Sequence, residues 1–176
     1  MRIFIAGPRA ITRLDSDVTS KLFSIYEKGY DVLVGDAAGV DRSVQKYYAN
    51  RGYRNVTVFA SNGKARNNIG DWNVENVIAD PGLKKFDFYK QKDIAMANIA
   101  DYGFMIWNGE SMGTLNNIVN LADQKKPCLV YLMSRKEFFN VDNEEKCLKL
   151  LSLCSPSVSG AYNKLIKTSS IQIAMF

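Results

Sequence analysis

Short apolar runs recur at similar intervals along the 176-residue chain, and this rhythm restricts the possible folds more than any other feature. Each run is too short for a helix and suits a buried strand, whereas the stretches between them space their apolar residues for one helix face. Strands that alternate with helices form parallel βαβ units, and continuously apolar strands belong to a sheet covered on both faces. The sequence therefore predicts a Rossmann-like three-layer α/β sandwich with a mostly parallel sheet of five or more strands. The runs read IFIA, VLV, VTVF, GFMI and CLVY.

The same periodicity predicts where the elements lie. Strands are predicted at 2–6, 31–35, 56–60, 102–107 and 127–132, with a further short strand near 74–78. Helices are predicted at 15–28, 40–51, 83–100 and 112–125, and in the tail near 142–153 and 160–167. Residues 61–82 form a long polar insertion, and such insertions are usually functional or disordered. We expect one domain over residues 1–176, with 133–176 as a C-terminal helical extension.

Composition excludes several classes of site. The chain has no histidine, which excludes Ser-His-Asp and Cys-His nucleophiles and histidine metal sites. Its three cysteines form no CxxC pair and favour a reducing compartment. No apolar run approaches the ~20 residues that span a bilayer, and the first strand is too short for a signal peptide. We therefore expect a cytoplasmic protein without a membrane partner, a metal or a cofactor.

The charge balance favours an anionic partner. The net charge is +5 and the sequence pI is about 9.0. The basic residues come in small pairs, such as Lys125-Lys126, rather than in a stripe interleaved with aromatic residues. This pattern argues against a nucleic-acid partner and favours a nucleotide-like small molecule.

The turn after the fourth long strand carries the strongest signal for a ligand site. It contains Trp107, Gly109, Ser111, Gly113 and Thr114 between a buried strand and a helix. The first N–H groups of a helix have no intrahelical partner, and the helix dipole adds partial positive charge there. Glycine permits a close approach and the two hydroxyls can donate to a phosphate. The alternative is an ordinary capped helix with Ser111 as its N-cap.

The first strand ends in Gly7, Pro8 and Arg9. Glycine at a strand end lets backbone and ligand come close, and the arginine could bind a phosphate or carboxylate with two hydrogen bonds. A tight connection with a solvated arginine explains the same residues equally well. A complete GxGxxG dinucleotide motif is absent from the sequence.

The second strand is followed by small residues and two carboxylates. Small residues at a strand-to-helix junction leave backbone N–H groups open to an anion, and Gly39 lies at this junction. Asp36 and Asp41 could accept ribose hydroxyls, or Asp41 could cap the helix.

Three residues outside these turns are further candidates. In the insertion, Arg66 could pair with a phosphate and Trp72 could stack a base. The alternative is a mobile loop with one anchoring tryptophan, but a lone tryptophan in so polar a stretch needs a partner, which favours a functional role. Asp93 interrupts an otherwise apolar helical stretch, which is unusual for a face that serves packing alone.

Taken together, these segments resemble the SLOG (Smf/DprA–LOG) superfamily, and most closely its small stand-alone members. The resemblance covers about residues 2–132 and rests on IFIAGPR, VGDAAGVDRSVQKYYANRGYRNVTVFA, RNNIGDW, KQKDIAMANIADYGFMIWNGESMGTLNNI and KKPCLVYL. It implies a Rossmann-like fold that binds nucleotides or their derivatives. The phosphate-holding turn would fall on 109–114 and the first-strand turn on 7–9.

One position departs from the pattern of the family. In the phosphoribohydrolases of the superfamily a glutamate follows the Gly-Thr pair by three residues, and here that position is Asn117. An amide cannot act as nucleophile or base, so a catalytic role would fall to Glu110, the nearest substitute, or to Asp93, Asp36 or Asp41. Whether the chain is an enzyme stays open at this point.

Three hypotheses follow from the sequence. The first is a module that binds or senses a phosphate-bearing, nucleotide-derived ligand at the carboxyl ends of the strands. The second is an N-glycosidase for nucleoside monophosphates, related to phosphoribohydrolases or deoxyribosyltransferases, and the third is DprA-like DNA binding. The apolar tail 171–176 could dock on a second copy, which would give a homo-oligomer, or on the core of its own chain.

Overall fold

The structure is a computed structural model that describes residues 1–80, 82 and 84–173. The strands are β1 (Arg2–Ala6), β2 (Asp31–Gly35), β3 (Val56–Ser61), β4 (Asn73–Val77), β5 (Tyr102–Trp107), β6 (Cys128–Leu132) and β7 (Glu137–Val141). The helices are α1 (Ser16–Glu27), α2 (Val40–Ala49), α3 (Lys85–Ile99), α4 (Met112–Asp123), α5 (Glu144–Leu151) and α6 (Pro156–Ile173). The side chains of the predicted docking tail, 171–176, lie outside the described part of the chain.

Within the described residues the seven strands form one sheet in the order β4-β3-β2-β1-β5-β6-β7. All neighbouring strands run parallel except β7, which is antiparallel to β6. The chain begins in the middle of the sheet, builds outward to β4, and returns to place β5 on the other side of β1. Ligands of open α/β sheets bind beyond the carboxyl ends of the strands at such a reversal. The predicted fold class is confirmed, and the reversal fixes where a site should lie.

Residues that alternate along each strand divide the core into two layers. Ile3 and Ile5 of β1 pack on the side of α1 and α2, whereas Phe4 and Ala6 pack on the side of α3 and α4. The same alternation holds along β5, so the central strands are covered on both faces. This is why their sequences are apolar without interruption.

The extension after residue 132 differs most from the prediction. It contributes β7 to the sheet before the two tail helices, and this strand was not predicted. Its sequence Glu137-Phe138-Phe139-Asn140-Val141 is mostly exposed and carries charge, as an edge strand should. None of the helices in the described ranges is long and apolar enough to cross a membrane.

Candidate functional site

A cavity of about 740 Å³ opens at the carboxyl ends of β1 and β5, at the reversal of strand order. The turns that follow these two strands form one side, and helices α3 and α4 form the other. Nine of the residues singled out from the sequence line it. They are Gly7, Pro8, Arg9, Asp41, Asp93, Glu110, Ser111, Gly113 and Thr114.

The turn between β5 and α4 is held in shape by its own hydrogen bonds. The Asn108 side-chain oxygen accepts the N–H groups of Glu110 and Ser111 at 3.1 and 2.9 Å. The indole N–H of Trp107, which is fully buried, donates to the Ser111 carbonyl at 3.1 Å. Gly109 has φ +81°, which a residue with a side chain rarely adopts. Trp107 and Gly109 therefore stabilise the conformation of the turn and do not line the cavity.

Helix α4 begins at this turn, beside the cavity. The Ser111 hydroxyl accepts the Thr114 N–H at 3.5 Å, so Ser111 is the N-cap, and the first intrahelical bond joins the Leu115 N–H to the Ser111 carbonyl at 3.0 Å. Met112 and Gly113 precede that bond, so their N–H groups belong to the unsatisfied helix start. An added Cβ at Gly113 would meet no heavy atom of the described residues within 4 Å. Open space therefore lies directly in front of the helix start.

The turn after β1 lines the same cavity. A side chain at Gly7 would overlap the Ile106 carbonyl and the Val40 side chain, so glycine is required for the close packing of β1 and β5. Arg9 is exposed, and its guanidinium lies 5.2 Å from the centre of the Tyr89 ring. Gly39 has φ +77° and packs against the Arg9 backbone rather than against the cavity.

The floor of the cavity is a buried polar cluster. Lys92 is only 5% exposed, and its ammonium donates to Asp93 Oδ1 at 2.8 Å. The Asn117 amide donates to Asp93 Oδ2 at 3.3 Å, and its oxygen has no hydrogen-bond partner among the described residues. A Cβ at Gly35 would collide with the Asp41 carboxylate and the Lys92 ammonium, so this glycine leaves room for both charges.

The charges in this cluster influence one another. Burial, together with the nearby Asp93 carboxylate, raises the pKa of Asp41 to about 6, although Lys92 opposes the change. Burial by itself lowers the pKa of Lys92, but the carboxylates of Asp93 and Asp41 outweigh burial, so the pKa lies above its ordinary value. Lys92 is therefore a stable internal cation at neutral pH rather than a base or a nucleophile.

Asp36 and Arg66 bind each other instead of facing the cavity. The Arg66 side chain donates two hydrogen bonds to the Asp36 carboxylate, from Nε at 2.9 Å and from Nη2 at 2.5 Å, and its backbone N–H donates a third at 3.1 Å. Burial alone would raise the pKa of Asp36, but Arg66 holds it below its ordinary value. The structure thus uses both predicted ligand residues to fasten the insertion to the end of β2.

Trp72 is also structural. Its side chain is 7% exposed, packs in the core on the α1 and α2 side, and donates its indole N–H to the Tyr53 carbonyl at 2.7 Å. The predicted base-stacking role is corrected accordingly, because the ring is buried away from the cavity. With Asn68 bonded to both backbone groups of Trp72, the insertion is ordered by its polar side chains.

Sequence reasoning missed three residues of α3 that line the cavity, Tyr89, Lys90 and Lys92. Together with Asp93 and Met96 they recur at helical spacing, so they share the face that turns toward β1 and β5. Asp93 alone was recognised as out of place on this face. Searching its neighbours at one helical turn would have found Tyr89 and Met96.

The described residues contain no group of three or more Asp, Glu or Cys side chains that could hold a metal ion. The lining instead carries three cationic side chains, Arg9, Lys90 and Lys92, and three carboxylates, Asp41, Asp93 and Glu110. Such a mixed lining suits a ligand that has both an anionic group and hydroxyl groups.

No protein-family model and no curated protein matches the chain. Among solved structures, the chain is similar to DNA processing protein A from Helicobacter pylori, with a TM-score of 0.57 and 14% sequence identity over 96% of this chain and 81% of that one. That protein is described by its single-stranded DNA binding mode. At this identity the likeness shows the fold alone.

The comparison corrects one expectation. The sequence argued against a nucleic-acid partner because basic residues form no stripe, yet the structural neighbour binds single-stranded DNA. Base stacking and scattered phosphate contacts can hold a single strand without a continuous basic stripe. The absence of a stripe was therefore the wrong criterion.

Proposed function

We propose that the cavity binds a phosphate-bearing, nucleotide-like ligand, with its phosphate in front of the start of α4. The observation that carries this proposal is the open space at Gly113. Gly113 lines the cavity, and a Cβ there would contact no neighbouring side chain or backbone of the described residues. A phosphate could therefore approach the helix N–H groups closely, with the Ser111 hydroxyl, which accepts from the Thr114 hydroxyl at 3.3 Å, as a further donor.

The sugar of such a ligand would lie toward the floor. Asp93 and Asn117 offer oxygens to hydroxyl groups there, and the Asn117 oxygen lacks a partner among the described residues. A buried acceptor without a partner is costly, and a ligand hydroxyl would satisfy it. Arg9, on the opposite side, has no ion-pair partner in the described part of the chain and can add charge to the phosphate end.

Binding without hydrolysis is better supported than N-glycosidase activity. Asp93 shares its two oxygens between Lys92 and Asn117, which lowers its availability as a nucleophile. Asn117 supplies no carboxylate, and Glu110 belongs to an exposed turn rather than to the floor. Release of free base from nucleoside monophosphates, followed by chromatography, would overturn this preference.

Calorimetric titration with nucleoside mono- and diphosphates tests the proposal. The variant Gly113→Asp places a negative charge in front of the helix start without a steric clash, and we expect it to weaken binding by more than tenfold. Gly160→Asp is the matched control, since Gly160 is also a helical glycine in α6 whose Cβ position is open. Absence of binding by the unaltered protein, or equal effects of the two variants, would contradict the proposal.

Single-stranded DNA binding is a second candidate, supported by the structural neighbour. In this case the cavity would hold one nucleotide unit of a longer strand. Affinity for an oligonucleotide would then fall with salt in proportion to the number of phosphates contacted, whereas a mononucleotide would show a shallow dependence. Titrations of both ligands at several salt concentrations separate the two candidates.

A further inference from the structure

The Tyr89 ring lines the cavity and has two guanidinium groups near it, that of Arg9, which also lines the cavity, and that of Arg66, which does not. The Cζ atom of Arg66 is 4.6 Å from the ring centre, and that of Arg9 is 5.2 Å from it. Both distances are within the range of a cation–π contact. Tyr89 is half-buried and extends from α3.

The two arginines are anchored very differently. Arg66 is fixed by its hydrogen bonds to Asp36, whose side chain is 3% exposed. Arg9 is exposed, and among the described residues its guanidinium interacts with the Tyr89 ring alone. Arg9 can therefore leave the ring at little cost, whereas Arg66 cannot.

We propose that Tyr89 is the base-recognition residue of the cavity and that Arg9 covers its ring only while the cavity is empty. This inference rests on the proposed function and deepens it, because it adds an aromatic base to the required ligand. When a nucleotide enters, Arg9 turns to the phosphate and the base takes the vacated position against Tyr89. Arg66 remains in contact with the ring and keeps it in place.

Both changes of contact favour the bound state, that of Arg9 from the ring to the phosphate and that of the Tyr89 ring from Arg9 to the base. A charge-assisted bond between arginine and phosphate is stronger than an exposed contact between arginine and an aromatic ring. Stacking of a base on an aromatic side chain is likewise a substantial contribution and is tolerant of base identity. Arg9 and Tyr89 line the same cavity as Ser111, so one side-chain movement joins the two ends of the site.

If Tyr89 recognises the base, the preference for nucleotides over a sugar phosphate depends on the Tyr89 ring. For the unaltered protein we expect nucleoside monophosphates to bind at least tenfold more tightly than ribose 5-phosphate. Tyr89→Leu should remove most of this difference, since it weakens the nucleotides while ribose 5-phosphate binds equally well or a few-fold more tightly because Arg9 is released. Tyr89→Phe, which keeps the ring, should preserve the preference.

Tyr47→Leu is the matched control, because the Tyr47 ring also contacts an arginine, with the Arg51 Cζ at 3.7 Å, but does not line the cavity. Calorimetry with both ligands and circular dichroism of each variant complete the experiment. If Tyr89→Leu weakens both ligands equally, or the unaltered protein binds both equally, this inference is wrong while the proposed function stands. If neither ligand binds, the proposed function itself fails.

Discussion

Two regions of the molecule have similar residue types but differ in where their side chains lie relative to the cavity. The β5–α4 turn and the insertion after β3 both combine glycines with polar and aromatic residues, and both were predicted to contact a ligand. In the turn, the polar groups leave open space in front of Gly113. In the insertion, Arg66 binds Asp36 and Trp72 binds the Tyr53 carbonyl. Internal hydrogen bonds hold both regions in shape, so residue types alone do not reveal that Gly113 lines the cavity whereas Arg66 and Trp72 do not.

The largest effect that tests this comparison is expected for Trp72→Ala. Removing a buried tryptophan costs about 3–5 kcal/mol, because the cavity it leaves relaxes only in part. We expect the free energy of unfolding in urea to fall by this amount, with nucleotide affinity unchanged for the folded fraction. A large loss of affinity at full folding would mean that the insertion contributes to the site.

The sequence predicted the fold well because apolar periodicity determines strands and helices locally. It missed β7, whose residues are mostly exposed and partly charged, since an edge strand makes few apolar contacts and therefore lacks a continuous apolar run. It also located the carboxyl-end turns, since strand order and turn position follow from topology. It did not identify Tyr89 and Lys92, because their role depends on how α3 rotates against β1 and β5, and it could not pair Asp36 with Arg66 across 30 residues.

Asp36 and Asp41 should make stability depend on pH in opposite directions. Arg66 lowers the pKa of Asp36, so its stabilising contribution is present above its ordinary pKa of 3.8 and is lost as the pH falls. Burial raises the pKa of Asp41 to about 6, so its contribution is complete below pH 3.8 and is lost as the pH rises through 6. As the pH falls, the free energy of unfolding should therefore gain the contribution of Asp41 and lose that of Asp36.

Asp41→Asn isolates the second effect. The amide can still accept the Ala37 N–H that Asp41 accepts at 3.2 Å, but it does not ionise. Relative to the unaltered protein, the variant should gain about 2–3 kcal/mol between pH 4 and pH 7, from a change of about two pKa units. Chemical denaturation at a series of pH values measures this, and parallel pH profiles for the two proteins would contradict it.

The smallest effect separates structural from ligand roles within a single residue. Ser111 caps α4 through a long contact of 3.5 Å to the Thr114 N–H, so Ser111→Ala should lower the free energy of unfolding by only about 0.5–1 kcal/mol. If the hydroxyl also donates to a phosphate, nucleotide affinity should fall several-fold.

Asn143, the N-cap of α5, accepts the Lys146 N–H at 3.0 Å and provides the control. Asn143→Ala should cost about 1 kcal/mol of stability without altering affinity. Equal affinities for the two variants would reduce Ser111 to a helix cap and move the phosphate away from α4.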